Sequence, residues 1–436
     1  MKSSSITRKH DNDFKYAVQV TRIILRAIGA WPIPSYASNV ERIATRFQNI
    51  ICYFLFAFII VPGFLHIFLK EHEFKRRVRV VGPLLNCGMG WTKYFLLLNH
   101  AKEIQSCLNQ AQQDWTDTVN GSDRKAMLST ARVGRKFAIF TAVFMYIGGL
   151  SYRTLVPLSK GRMLTPANIT VRELACPSYF IKFDGQVSPA YEIVFTLQFF
   201  AGVIIYSVRA GAAGLAAFFI MHVCGQLSII MGKLQHLNNM SNSNDRAVAI
   251  LLADIVQHQI KVKSFLTQVE ATMRYVWLVE IMGSTILLCL SGYYIIMEWQ
   301  NNNSTAMLTM SVMLTSFTFS IFTNCYVGQR LTDQSIKVGL MTTTINWYRL
   351  QCKRARSLIL IMAVSNIPAK ISAGRIIDMS LLTFSNNFNY EDDIKYTVQV
   401  HIMGMIGVWP NMSKPLKMDE TFQKIPQNYV LLPTVF

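Results

Sequence analysis

Six stretches of the chain are apolar for long enough to cross a lipid bilayer, and charged residues gather between them. A spanning helix needs about 20 mainly apolar residues. Residues 47–69 (FQNIICYFLFAFIIVPGFLHIFL) give the clearest run, with Pro62-Gly63 as a kink that membrane helices tolerate. Residues 78–98 follow a short charged turn and carry Lys93. Residues 137–158 contain Gly148-Gly149, small residues that allow close helix approach. Residues 191–231 are long enough to cross and project beyond the membrane, and 276–297 and 307–327 complete the set. The pattern predicts an all-α, polytopic membrane protein.

Lys and Arg mark the cytoplasmic side of membrane helices. A cytoplasmic N-terminus places the 99–136 loop (Lys102, Arg124, Lys125, Arg132, Arg135, Lys136), the 232–275 loop and residues 329–360 inside. Lys70, Lys75, Arg76 and Arg77 fall on the opposite side and weigh against it, but the sum favours N-terminus inside. The glycosylation sequons at Asn168, Asn302 and Asn303 are then external, whereas those at Asn120, Asn239 and Asn411 are internal.

After residue 327 the pattern changes. Arg330, Lys337, Arg349, Lys353, Arg354 and Arg356 alternate with Leu, Ile and Val at helical spacing, as in a solvated pair of inner helices, and Pro368 and Gly374 mark breaks. A seventh span is expected to open near Ile376. Ser385-Asn-Asn-Phe-Asn-Tyr-Glu-Asp-Asp393 interrupts it, and no later window is apolar over about 18 residues.

Composition agrees with a membrane protein. Of 436 residues, 51% are hydrophobic and 15% charged, with mean hydropathy +0.28, against about a quarter charged in soluble domains. The net charge of +19 could mark a nucleic-acid-binding module, but apolar runs separate the basic residues, so no nucleic-acid partner is expected. The eight cysteines are scattered without a Cys-x-x-Cys pair or metal spacing, and neither a cofactor nor a metal is implied. Phosphate loops, His-Glu-x-x-His and Gly-x-Ser-x-Gly are absent, so no enzyme is expected.

The chain also repeats itself. Asp13-Phe-Lys-Tyr-Ala-Val-Gln-Val20 returns as Asp393-Ile-Lys-Tyr-Thr-Val-Gln-Val400, identical at six of eight positions. Ile28-Gly-Ala-Trp-Pro32 returns as Ile406-Gly-Val-Trp-Pro410, after a spacing two residues shorter. A structural repeat is one explanation. The preferred one is a fusion: a membrane domain over 1–384, then an aberrant tail over 385–436 that copies the N-terminal segment of a related protein.

Several blocks in order carry a family resemblance. They are Lys93, Asp114-Trp115, Pro177, Ser188-Pro-Ala-Tyr-Glu192, His222-Val-Cys-Gly-Gln226, His258 and Glu270, then Asn324-Cys-Tyr-Val-Gly328, Gln334-Ser335, Asn346-Trp-Tyr348, Pro368 and Ala373-Gly374. Over residues 13–384 the chain resembles an insect odorant receptor of the ligand-selective, tuning kind. The resemblance implies seven helices with a cytoplasmic N-terminus. It also implies a heterotetrameric, odorant-gated cation channel formed with the odorant co-receptor in the plasma membrane of olfactory neurons. The cytoplasmic ends of the last helices would form the subunit contact, here Asn324, Cys325, Tyr326, Gly328, Gln334, Ser335, Trp347 and Tyr348 within an assembly segment over 328–384. The seventh helix, which lines the pore in that family, is missing from the pattern.

A volatile, mostly apolar ligand needs a dry pocket with aromatic and aliphatic walls and a few polar groups. Candidates in spans two to six are Met89, Trp91, Met145, Gly149, Tyr152, Phe199, Val203, Tyr294, Met313 and Phe317. Lys93 and Arg209 sit inside apolar runs and are candidates for function, with snorkelling to an interface as the alternative. A G-protein-coupled chemoreceptor or a secondary transporter would also give multiple spans. The first calls for an external N-terminus, and the second for repeated halves.

Overall fold

The computed structural model describes residues 2–389 apart from short stretches at 35–36, 71–73, 119, 161, 165–169, 173, 175, 182–184, 186, 241–244, 301–303 and 347–351. The chain divides into units over Met1–Glu391 and Asp392–Phe436, and the second lies wholly outside the described residues. So do Asn168, Asn302, Asn303, Trp347 and Tyr348.

Ten α-helices are present among the described residues: α1 Lys2–Ala27, α2 Asn39–Leu65 (extended by a π-turn over His66–Lys70), α3 Phe74–Asn99, α4 Ala101–Asp117, α5 Gly121–Lys160, α6 Ala190–Asn239, α7 Asp245–Gln300, α8 Ser304–Thr343, α9 Cys352–Ser365 and α10 Leu381–Asn389. Two small antiparallel hairpins accompany them, β1 Arg162–Leu164 with β2 Thr170–Arg172, and β3 Ser372–Ala373 with β4 Ile377–Asp378.

Helix α6 is the axis of the bundle, packed by α1, α2, α3, α5, α7 and α8. Its residues from Ile205 to Leu227 are buried without interruption. Such a helix needs small residues where neighbours cross. Leu25 of α1 seats on Gly211, Thr21 on Gly214, and the Tyr206 ring on Gly149 of α5. Helix α1 buries Ala17, Val18, Thr21 and Leu25, one helical stripe. It stops at Gly29, where φ is +68° and the Ala30 N–H donates to the Leu25 carbonyl at 2.9 Å. Glycine takes that backbone conformation without the Cβ cost other residues meet.

Five helical segments are long and apolar enough to cross a membrane: 39–70, 121–155, 190–239, 246–299 and 304–343. The expected span over 78–98 is helical in α3 but falls outside this set, because Gly82-Pro83, Asn86 and Lys93 dilute its apolar run. Those polar side chains turn inward, which is why the helix still belongs to the bundle.

The expected loops are corrected. Residues 99–136 hold α4 and the first turns of α5, and 232–275 hold the end of α6 and the first half of α7. Helix α4 buries Ile104, Cys107, Leu108, Ala111 and Trp115 along one face, a 3.6-residue period that polar composition hides from a hydropathy scan. The expected inner helix pair is the α8 extension and α9. At Ile376, where a seventh span was expected, β4 and then α10 follow. Helix α10 has nine residues, about 14 Å against the roughly 30 Å of hydrocarbon. It runs through Phe384, whose ring packs edge-on against Phe322 at 5.5 Å.

Candidate ligand cavity

A cavity opens between α3, α5, α6, α7 and α8, toward the end of the bundle that carries the 161–189 connection. It offers about 40 Å³ to the centre of a water-sized sphere, where roughly 10–15 Å³ is enough for one water. Gly82, Pro83 and Asn86 supply the α3 wall, and Pro83 cannot donate to the preceding turn. Tyr152 and Arg153 face in from α5 and Tyr206 from α6. Helix α7 adds Leu287, Leu290, Ser291 and Tyr294, and α8 adds Met310, Met313 and Phe317.

Of the ten sequence candidates, Tyr152, Tyr294, Met313 and Phe317 come together in this lining. The other six lie elsewhere. Met89 packs its thioether over Gly283, and Trp91 points outward with 46% of its surface exposed. Met145 is core, Gly149 holds the Tyr206 ring, Phe199 stacks edge-on with Phe200, and the Val203 carbonyl accepts the Ser207 hydroxyl at 2.7 Å. Asn86, Arg153 and Tyr206 were missed. Arg153 carried a readable signal, an ionisable residue within an apolar run, the criterion that selected Lys93 and Arg209.

Arg153 is 4% exposed. It donates to the Gln198 carbonyl at 2.8 Å and, weakly, to Cys87 Sγ at 3.8 Å. Gln198 in turn holds the connection above: the Cys176 N–H donates to its Oε1 at 3.3 Å, and its Nε2 donates to the Cys176 carbonyl at 2.8 Å and to Ser178 Oγ at 3.0 Å.

Deeper in the bundle the other cations are closed by a carboxylate. Arg209 donates to Asn86 Oδ1, Glu280 Oε1 and Ser284 Oγ, each at 2.8 Å. Lys93 ion-pairs with Glu280, and Ser320 donates to the same carboxylate at 2.5 Å. The Arg209 guanidinium also lies 4.9 Å from the centre of the Phe317 ring, part of the cavity wall. Lys93 is 1% exposed, so it does not snorkel. Two cations sharing one carboxylate are tolerated in low dielectric because hydrogen bonds complete the set.

At the opposite end, His222 Nε2 lies 3.1 Å from Asp114 Oδ2, and Lys261 pairs with Asp114 Oδ1 at 2.5 Å. Burial disfavours the Asp114 carboxylate, but hydrogen bonds from His222 and Lys261 outweigh it and hold its pKa below the ordinary value. His258 sits between Gln226 Oε1 (2.7 Å from Nε2) and Lys233 Nζ (3.2 Å from Nδ1). Burial, then the Lys233 charge, lower its pKa to about 4.

The sequence candidates for subunit contact that fall among the described residues pack within the chain. Asn324, Cys325 and Gly328 are buried, and Met379 lies against Gly328. Gln334 donates to Ser228 Oγ at 2.8 Å and the Ala369 N–H to Ser335 Oγ at 2.9 Å, while half-buried Tyr326 packs on Phe137 at 4.9 Å.

A bundle of helices long and apolar enough to cross a membrane, around a mostly apolar cavity, defines a polytopic membrane protein with room for a small molecule. The model of the 7tm odorant receptor family matches residues 73–389, and the chain belongs to that family. Among its relatives, odorant receptor 82a of Drosophila melanogaster is 23% identical over 205 residues, 47% of this chain and 51% of that protein. Odorant receptor 33a of the same fly is 23% identical over 163 residues, 37% of this chain and 42% of that protein. The chain thus spans about half the length of these relatives. The olfactory receptor OR5 of Machilis hrabei, solved in complex with eugenol, shares the fold with a TM-score of 0.71 at 14% identity, over 89% of this chain and 98% of that one. The protein is therefore a multi-pass membrane protein of a family that is not enzymatic.

Proposed function

We propose that the chain is the ligand-binding subunit of an odorant-gated cation channel, assembled with the odorant co-receptor in the plasma membrane of olfactory neurons, with its N-terminus inside. The cavity carries this reading: five helices converge on it, and its walls are aromatic, aliphatic and sulfur-bearing with few polar groups. A volatile of about ten heavy atoms needs more room than the cavity holds, and Met310 and Met313 are flexible side chains suited to yield it. Exposed Ile336, Leu340, Ile359, Val364 and Ile367 at the α8–α9 end support a subunit contact there. Expression of the full chain with and without the co-receptor, under a panel of volatiles, tests it. Ligand-dependent cation currents only with the co-receptor are expected, and no response across the panel at normal surface expression overturns it.

The tail over 385–436 belongs to the same proposal as a fused copy of a receptor N-terminus. Two observations support this: the family match ends at residue 389, and several of the repeated residues help to dock the first copy. Asp13 accepts from Arg124 at 2.6 Å, Gln19 accepts from Arg135 at 3.0 Å, Val18 and Ile28 are buried, and Gly29 closes α1. Sequencing transcripts across codons 380–400 tests it, since one abundant message through the junction would refute the fusion.

A further inference from the structure

We infer that the preferred ligand of the cavity is a small carboxylic acid with an apolar tail, its carboxylate received by Arg153. The inference rests on the cavity being the odorant site and names the chemistry that site selects.

The polar groups around the cavity are unbalanced. Arg153 has five N–H donors. Its hydrogen bonds go to the Gln198 carbonyl and the Cys87 sulfur, and neither acceptor is a carboxylate. Its Nε is buried without an acceptor. No carboxylate of the described residues lines the cavity. The nearby Glu280 is committed to Lys93, Arg209, Ser284 and Ser320. Asn86 gives its Oδ1 to Arg209, leaving an amide donor on the same wall. A cation buried in an apolar span is costly unless an anion meets it. Here no carboxylate of the described residues is placed to meet it, which leaves room for one on an occupant of the cavity.

The guanidinium is also held in place. A Cβ on Gly202 of α6 would overlap Arg153 Cδ, Nε and Cζ, so the guanidinium packs directly on the α6 backbone at that glycine. Tyr206, the next cavity residue on α6, has its ring centre 5.9 Å from Arg153 Cζ. A preset planar fork suits a carboxylate, which it can grip with two parallel hydrogen bonds. Leu287, Leu290, Met310, Met313 and Phe317 offer the rest of such a ligand an apolar wall.

The test uses hexanoic acid against hexanol and hexanal, with two readouts on the full chain co-expressed with the co-receptor. One is the cation current, and the other is thermal stabilisation of the purified complex by each compound. Hexanoate should act at a concentration at least roughly ten-fold lower than hexanol, equivalent to about 1.4 kcal/mol. In Arg153→Gln that ratio should fall to near one. Arg153→Lys, a point charge without the fork, should retain part of it. Gly202→Ala should lower the ratio with the charge kept, so the test survives if Arg153→Gln fails to reach the surface. Stabilisation by hexanoate that depends on Arg153 supports the inference even without currents. Currents evoked by hexanol or hexanal with no advantage for hexanoate overturn it and leave the odorant-receptor function standing.

Discussion

Two sets of buried cations lie within a few helical turns of each other, and only one is closed. Lys93 and Arg209 share Glu280, with Ser284, Ser320 and Asn86 filling the remaining positions. Arg153, higher on the same bundle, donates to a carbonyl and a sulfur and to no carboxylate. Both arise from one sequence signal, an ionisable residue in an apolar run. The partners separate them: a closed set holds helices α3, α6, α7 and α8 together, whereas an open one faces a cavity.

The closed set breaks most severely. Glu280→Ala leaves two buried cations without a counter-charge, and roughly 3–5 kcal/mol of stability should go with it. Fluorescence-detected size exclusion of the complex should show loss of the folded peak. A folded, fully expressed Glu280→Ala protein would mean that water reaches Lys93 and Arg209.

The cavity wall comes next. Tyr152→Ala enlarges the cavity and should shift relative potencies among ligands by roughly ten-fold, the scale of a changed apolar contact. Phe199→Ala, off the lining, should leave the order of potencies unchanged. Equal effects of the two on dose–response curves would erase the boundary drawn around the cavity.

The end of the bundle that holds His258, outside the apolar run over 276–297, supplies a third contrast, one that depends on pH. Above about 6.5 His258 is neutral in both folded and unfolded chains. As pH falls, the unfolded chain gains the proton first, because the folded value is about 4. Stability should therefore decline between those values. His258→Gln should flatten that part of a melting-temperature profile measured from pH 8 to pH 4. The smallest effect belongs to Arg26 and Glu41, paired at 2.9 Å with 60% and 42% of their side chains exposed. Arg26→Ala should cost less than about 1 kcal/mol in thermal unfolding.

What could be read from the sequence follows from what each feature depends on. Apolar runs of bilayer length are local, so five spans, the overlong α6 among them, were legible. Helices α1 and α4 were not, because their buried stripes lie in polar sequence. The stripe at Ile104, Cys107, Leu108, Ala111 and Trp115 was nevertheless present at helical spacing. Tyr152, Tyr294, Met313 and Phe317 were found from type and depth. Trp91, matching in both, faces outward, because helix rotation is set by packing partners far away in sequence. The pairing of Arg209 with Glu280, 71 residues apart, depends on the same convergence and had no local trace.

Helix α6 has a mechanical consequence. Its 50 residues make a rod of about 75 Å, more than twice the hydrocarbon thickness. From Gly202 beneath Arg153 to Gln226 beside His258 the rod runs 24 residues, roughly 36 Å. A tilt of about 3° at the cavity would swing the far end by about 2 Å over that arm. A displacement of that size, comparable to interface shifts in switching proteins, would reach Ser228, which holds Gln334 of α8. A continuous buried helix would thus carry a tilt at the cavity as far as the α8 extension.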